Sequence, residues 1–131
     1  MNIAKALLLV LCCFSSYFCF GQQQYAGYHT LSTKFNAIIL TDIATGNRFI
    51  LDSTRIMVTA LNPQGKQLWK TDAWKNNHLE VYRVERPVIS HFTFGKDDSA
   101  EKKEVIWLTY NNTQFGFLDK ETGAFTWLGQ D

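Results

Sequence analysis

The apolar residues of this chain fall into short runs, and this pattern constrains its fold more than any other feature. The runs are rich in β-branched and aromatic residues, and glycine, asparagine and aspartate separate them. No window shows the sustained 3.6-residue period of an amphipathic helix. Such runs are typical of β-strands joined by tight turns. We expect strands at residues 34–41, 47–52, 55–61, 66–70, 79–85, 88–94, 104–110, 114–118 and 124–128.

Residues 1–21 are predicted to be a secretory signal peptide. Lys5 is followed by an uncharged apolar run from Ala6 to Phe20, and this order of a charged and an apolar region is typical of export signals. The run is shorter than the roughly 20 residues that a membrane-spanning helix needs. We therefore expect cleavage after about Gly21 and export to the periplasm or out of the cell. The alternative is an uncleaved segment that stays as a membrane anchor.

Cleavage would leave residues 22–131 as a single all-β domain without disulfides. All three cysteines, Cys12, Cys13 and Cys19, lie in the first 21 residues. A domain of this length buries roughly 65% of the surface that its unfolded chain exposes, which suffices for one core. Loss of Lys5 leaves equal numbers of basic and acidic residues. No overall field would then attract the chain to nucleic acid or hold it at an anionic membrane.

One turn chemistry occurs three times. Asp42–Gly46 and Asp119–Gly123 both read Asp-x-x-Thr-Gly, and Asn62–Gly65 is a shorter version. The first side chain can accept hydrogen bonds from the following N–H groups, and the glycine supplies the positive φ that closes a short hairpin loop. Phe125 and Trp127 follow the last glycine on one face of a strand. We expect both of them to be core anchors.

A strand, an Asp-x-x-Thr-Gly turn and a strand with a tryptophan together resemble the blade signature of PQQ-type, quinoprotein-like β-propellers. The stretch from Val105 to Trp127 looks like three consecutive strands of one blade, and a partial match runs from Arg55 to Trp69. In the third copy, Ile50 stands where the tryptophan would be. A closed ring needs four or more blades of about 40 residues each, more than this chain holds. We expect blade-like meanders that form a small antiparallel two-sheet sandwich or a partly open barrel.

The sequence predicts no catalysis, no cofactor and no metal site. Quinone-dependent enzymes of the resembled family hold cofactor and calcium in a full ring, so none of their site residues can be matched here. His29, His78 and His91 lack metal-ligand spacing, and His91 is expected to be a structural residue on a strand face. The acidic residues of Gly95–Lys103 alternate with lysines, which favours a solvated loop over a calcium site.

The strongest candidate for ligand binding is aromatic. Trp69 and Trp74 flank a polar turn, and Trp74 has Asp72, Asn76 and Asn77 beside it. An exposed tryptophan next to such groups suits a sugar or a peptide, because the ring supplies contact area and the polar groups supply orientation. The alternative is that Trp74 covers the open end of the core.

These features favour an exported, non-catalytic β-domain that binds a protein partner in the cell envelope. A glycan-binding module that uses exposed aromatic residues is the alternative from another class. A third alternative is a propeller-fragment subunit that assembles with other chains. An open sheet edge or an exposed apolar patch would favour the protein partner, whereas coplanar exposed rings in a groove around Trp74 would favour the glycan.

Overall fold

The computed structural model describes residues 35–131, which form two four-stranded antiparallel sheets. The strands are β1 (Ile38–Thr41), β2 (Arg48–Leu51), β3 (Val58–Leu61), β4 (Gln67–Thr71), β5 (Ile89–Lys96), β6 (Glu104–Tyr110), β7 (Gln114–Leu118) and β8 (Phe125–Gln130). A single helical turn, α1 (Ala73–Asn76), follows β4. Within this part of the chain the expected all-β class with two antiparallel sheets is confirmed, and no barrel closes. The predicted signal peptide lies outside the described residues.

Each sheet is a meander, with its strands in sequence order. The first sheet runs β1-β2-β3-β4 and the second runs β5-β6-β7-β8. The expected strand at 79–85 is wrong, because that segment holds only an isolated bridge between Tyr82 and Val84. Arg83 between them has a φ of 56°, and a residue in this left-handed region interrupts extended backbone.

The core lies between the two sheets, and alternating side chains of the strands supply it. Strands β2 and β3 bury every second residue, as the period of two in a strand requires. The rings of Phe49 and Phe94 pack edge to face across the core, with centroids 5.9 Å apart. Strand β6 is central and buries Val105 on one face and Ile106 on the other. The buried apolar core residues are Phe49, Leu51, Val58, Ala60, Ala73, Ile89, Phe92, Ile106, Leu108, Tyr110 and Leu118.

The repeated turns form as their sequence predicts. Gly46 and Gly123 have φ values of 74° and 71°, and the N–H of each donates to the backbone oxygen of the aspartate four residues earlier, at 2.7 and 2.9 Å. Oδ1 of Asp119 accepts from the N–H groups of residues 121 and 122. The shorter turn closes in a related way, because the N–H of Gly65 donates to the backbone oxygen of Asn62 at 2.9 Å.

Two residues expected in structural positions are instead exposed. Trp127 faces the same way as the half-buried Phe125, but 49% of it is exposed. It lies on an edge strand opposite Gly116, which has no side chain to pack against it. His91 is also exposed, because the pairing of β5 with β6 shifts register between Ile89 and His91. The expectations of a core Trp127 and a structural His91 were therefore wrong.

Candidate functional site

Trp69 belongs to the packing between the sheets. Its ring lies directly against Gly123 and its centroid is 5.8 Å from that of Phe49. Its Nε1 donates to the backbone oxygen of Lys120 at 2.9 Å. Because Lys120 lies in the β7–β8 turn, Trp69 joins the last strand of the first sheet to the second sheet.

Trp74 lies on α1 and is half-buried against the core. Its Nε1 donates to Oε1 of Gln114 at 3.0 Å, and the Arg86 guanidinium carbon is 5.0 Å from its ring centroid. Asp72 caps the helix by accepting from the N–H of Lys75 at 3.1 Å, and it also forms an ion pair with Arg86. Trp74 therefore covers one end of the core. Its indole N–H is hydrogen-bonded to Gln114, and Arg86 lies over its ring.

The two asparagines of the candidate segment bind their own surroundings. Nδ2 of Asn76 donates to Oγ1 of Thr71 at 3.2 Å, and Nδ2 of Asn77 donates to the backbone oxygen of Ala73 at 2.7 Å. The structure thus brings Asp72, Asn76 and Asn77 together with Trp74 around α1. Trp69 does not belong to this group, because it contacts Gly123, Phe49 and Lys120 instead.

A groove of about 370 Å³ lies next to this helix, between the segment that follows it and strand β8. Trp127 forms an exposed apolar wall, and amide and imidazole groups accompany it. The groove is lined by His78, Leu79, Glu80, Gln114, Trp127 and Gln130. Gln114 connects the groove to the candidate residues of α1, because it lines the groove and also accepts from the Trp74 indole.

Gln114 forms hydrogen bonds to the segments that surround the groove. It points inward from β7 and is only 2% exposed. Its Oε1 accepts from Trp74 and from Nδ2 of Asn112, at 3.0 and 2.8 Å, while its Nε2 donates to the backbone oxygen of Glu80 at 3.0 Å. The sequence reasoning missed this residue. A glutamine at the inward parity of an otherwise apolar strand was the available signal, because such a side chain must find partners inside the fold.

Replacing Gln114 with leucine should lower the free energy of unfolding by about 1–2 kcal/mol, because it leaves the Trp74 and Asn112 donors without their acceptor. Urea denaturation measures the change. Gln67→Leu, at an exposed position on β4 of the other sheet, is the matched control and should stay within about 0.5 kcal/mol. Equal stability of the Gln114→Leu variant and the parent would show that these bonds do not hold the groove.

Within residues 35–131 no group of three or more histidine, cysteine or acidic side chains is placed to hold a metal ion. No helix in that part of the chain is long and apolar enough to cross a membrane. Comparison with protein-family models, with curated proteins and with solved structures finds no match.

Proposed function

We propose that the chain is an exported, non-catalytic β-domain that binds a protein partner in the cell envelope through strand β8 and its groove. The observation that carries this proposal is the exposure of Trp127 and Leu128, which are 49% and 36% exposed. Their strand has an edge that pairs with no other strand of residues 35–131. Tryptophan is enriched among the residues that dominate protein–protein binding energy.

The shape of β8 favours a short extended segment of the partner. The pairing of β7 with β8 places Gly129 opposite Phe115 and Trp127 opposite Gly116, so Leu128 is an extra, bulged residue. A bulge limits how far a foreign strand can extend along an edge. A short partner segment would pair with Phe125–Trp127 and set an apolar side chain against the indole, as in other strand-addition complexes.

Replacing Trp127 with alanine should reduce partner binding at least tenfold, as loss of a central tryptophan does at other interfaces. The free energy of unfolding should change by no more than about 1 kcal/mol, because half of the side chain is already in solvent. Reversible crosslinking in the producing cells, followed by quantitative mass spectrometry of the captured proteins, measures the binding. Leu68→Ala is the control, since Leu68 is 45% exposed on β4 of the other sheet. If both variants lose the same proteins, or neither does, β8 is not the site.

The glycan alternative has its own support at the same groove. The exposed indole of Trp127 lies beside the amide of Gln130 and the imidazole of His78, a combination that suits a sugar ring and its hydroxyl groups. Titration with linear oligosaccharides, followed by tryptophan fluorescence, tests it. A protein-binding groove should give no saturable change. A saturable change that disappears in Trp127→Ala would favour the glycan instead.

A further inference from the structure

The repeated turns relate the two sheets to each other. In the last hairpin of each sheet, the N–H of the first turn residue bonds across the turn: Asn62 to the oxygen of Lys66, and Asp119 to that of Ala124, both at 2.9 Å. The leucine just before each of these residues therefore holds the same place on the third strand of its meander. Along a strand, the direction of the backbone hydrogen bonds and the face of the side chain both alternate with a period of two residues, so residues with equivalent hydrogen bonds lie on equivalent faces. Leu61 and Leu118 thus lie on equivalent faces.

These two leucines have different surroundings. Leu118 is fully buried in the core between the sheets, whereas Leu61 is only half-buried and lies outside that core. We call the face that bears Leu61 or Leu118 face B, and the opposite face, which bears Val58 and Ala60 in the first sheet, face A. The first sheet therefore buries its face A against face B of the second sheet. The sheets are stacked in one orientation, like two successive copies of one unit.

Within residues 35–131, such a stack leaves one face of each kind that no other strand covers, and we call these the free faces. Face A of the second sheet carries Val105, which is 1% exposed, and three half-buried aromatic residues, Trp107, Phe115 and Phe117. The Trp107 and Phe117 ring centroids are 5.9 Å apart. Trp107 lies opposite Phe117 in the register just as Phe49 lies opposite Ala60 in the first sheet. The outward face therefore has aromatic residues where its counterpart has core residues.

The free face B of the first sheet is also partly apolar. Ile39, Ile50 and Leu61 lie on it, and Ile39 is 55% exposed. Arg48 lies on the same face, and an arginine packs well over aromatic rings. Among the strands of residues 35–131, neither free face carries an acidic side chain, so their contact would bury no carboxylate. The acidic residue of β6, Glu104, points to the buried face and pairs with Lys120.

We propose that a second copy of this chain covers these faces, with the free face B of one copy packed on the free face A of the next. The occupant is a second copy because each free face is the counterpart of a face that already forms an interface within the chain. The contact is heterologous, so it either closes into a ring or continues as a filament. It does not use the β8 groove, whose wall residue Trp127 lies on the buried side of its sheet.

The test uses one charged variant on each face. The full chain, as the producing cell processes it, should associate as its concentration rises in light scattering. Ile50→Glu blocks face B and Phe117→Glu blocks face A, so each variant alone should be monomeric. Mixed together they should form a 1:1 heterodimer, because each retains the face that the other has lost. Only a heterologous contact gives this result.

Two results would overturn the proposal. One is a parent chain that stays monomeric from micromolar to millimolar concentration. The other is a two-fold contact, in which only one of the two glutamate variants becomes monomeric and the other still associates on its own. If circular dichroism shows that a glutamate variant does not fold, Thr59→Glu and Thr109→Glu place a negative charge on the same two faces without removing apolar side chains. Trp127→Ala should associate like the parent, which separates this proposal from the function of the groove.

Discussion

Replacing Gly123 with alanine should lower the free energy of unfolding by about 3 kcal/mol, through backbone strain and overpacking together. The φ of Gly123 is 71°, a conformation that a residue with a β-carbon adopts only at a cost. The added carbon would also lie 2.6 Å from ring atoms of Trp69. Trp69 cannot move aside easily, because it packs on Phe49 and donates to Lys120. In a domain of this size the melting temperature should fall by about 12–24 °C.

Gly65→Ala separates the two causes of that loss. Gly65 has a φ of 83° in a related turn, but the nearest atom to an added β-carbon is the end of the flexible Arg48 side chain, 4.0 Å away. This variant should lose only the backbone part, about 1 kcal/mol. Thermal and urea unfolding of the two variants measure the difference. Equal losses would mean that the contact between Trp69 and the turn does not stabilise the fold.

Replacing Lys120 with methionine should lower the free energy of unfolding by about 2–3 kcal/mol, the range expected when a buried carboxylate loses its partner. Nζ of Lys120 donates to Asp42 and to Glu104, both at 2.7 Å. The side chains of Lys120 and Asp42 are only 17% and 6% exposed. The contact links the β7–β8 turn to the β1–β2 turn of the other sheet. Methionine keeps the side chain's length but leaves Asp42 unpaired.

The effect of Lys120→Met should depend on pH. The hydrogen bond from Lys120, helped by the N–H of Ala44, holds the pKa of Asp42 below its ordinary value. A carboxyl whose pKa is depressed by folding stabilises the fold above its unfolded pKa, and this contribution is lost as the pH falls through the folded value. The parent and the variant should therefore differ fully at neutral pH and converge below about pH 4.

Lys103→Met is the control for this measurement. Lys103 pairs with Asp119 at 2.8 Å, but 44% of its side chain is exposed. Exposed ion pairs contribute little to stability, so its melting temperature should match that of the parent at neutral pH. A Lys120→Met deficit that stays constant from pH 7 to pH 3 would assign the loss to packing instead of charge.

The sequence predicted the parts of the fold that depend on local chemistry. The turns at Asp42–Gly46 and Asp119–Gly123 form because their aspartates and glycines satisfy the backbone without help from distant residues. Strands β6 and β7 begin and end where the apolar runs do. The predictions that were wrong concern residues whose structure depends on tertiary contacts. The alternating residues of 79–85 resemble a strand, but this segment forms only an isolated bridge between two of its own residues.

The candidate site was predicted only in part. Trp74 and its polar neighbours do lie together, yet the groove beside them depends on Gln114 and Trp127, which are distant in the sequence. The pattern that marked Trp127 as core is correct about its face. It could not show that β8 would be an edge strand or that Gly116 would lie opposite. Those facts depend on which strands pair, and a single sequence does not contain them explicitly.

The role of β8 as the binding surface is tested most directly by a photo-crosslinking residue at position 128, compared with one at position 68 of the other sheet. Both positions carry exposed leucines on edge strands, but only position 128 lies beside the groove. Adducts with a second copy of this chain are scored separately at both positions. In the producing cells, position 128 should give an adduct with one other protein, and Trp127→Ala in the same chain should remove it. Equal adducts from both positions, or none from position 128, would contradict the proposed function.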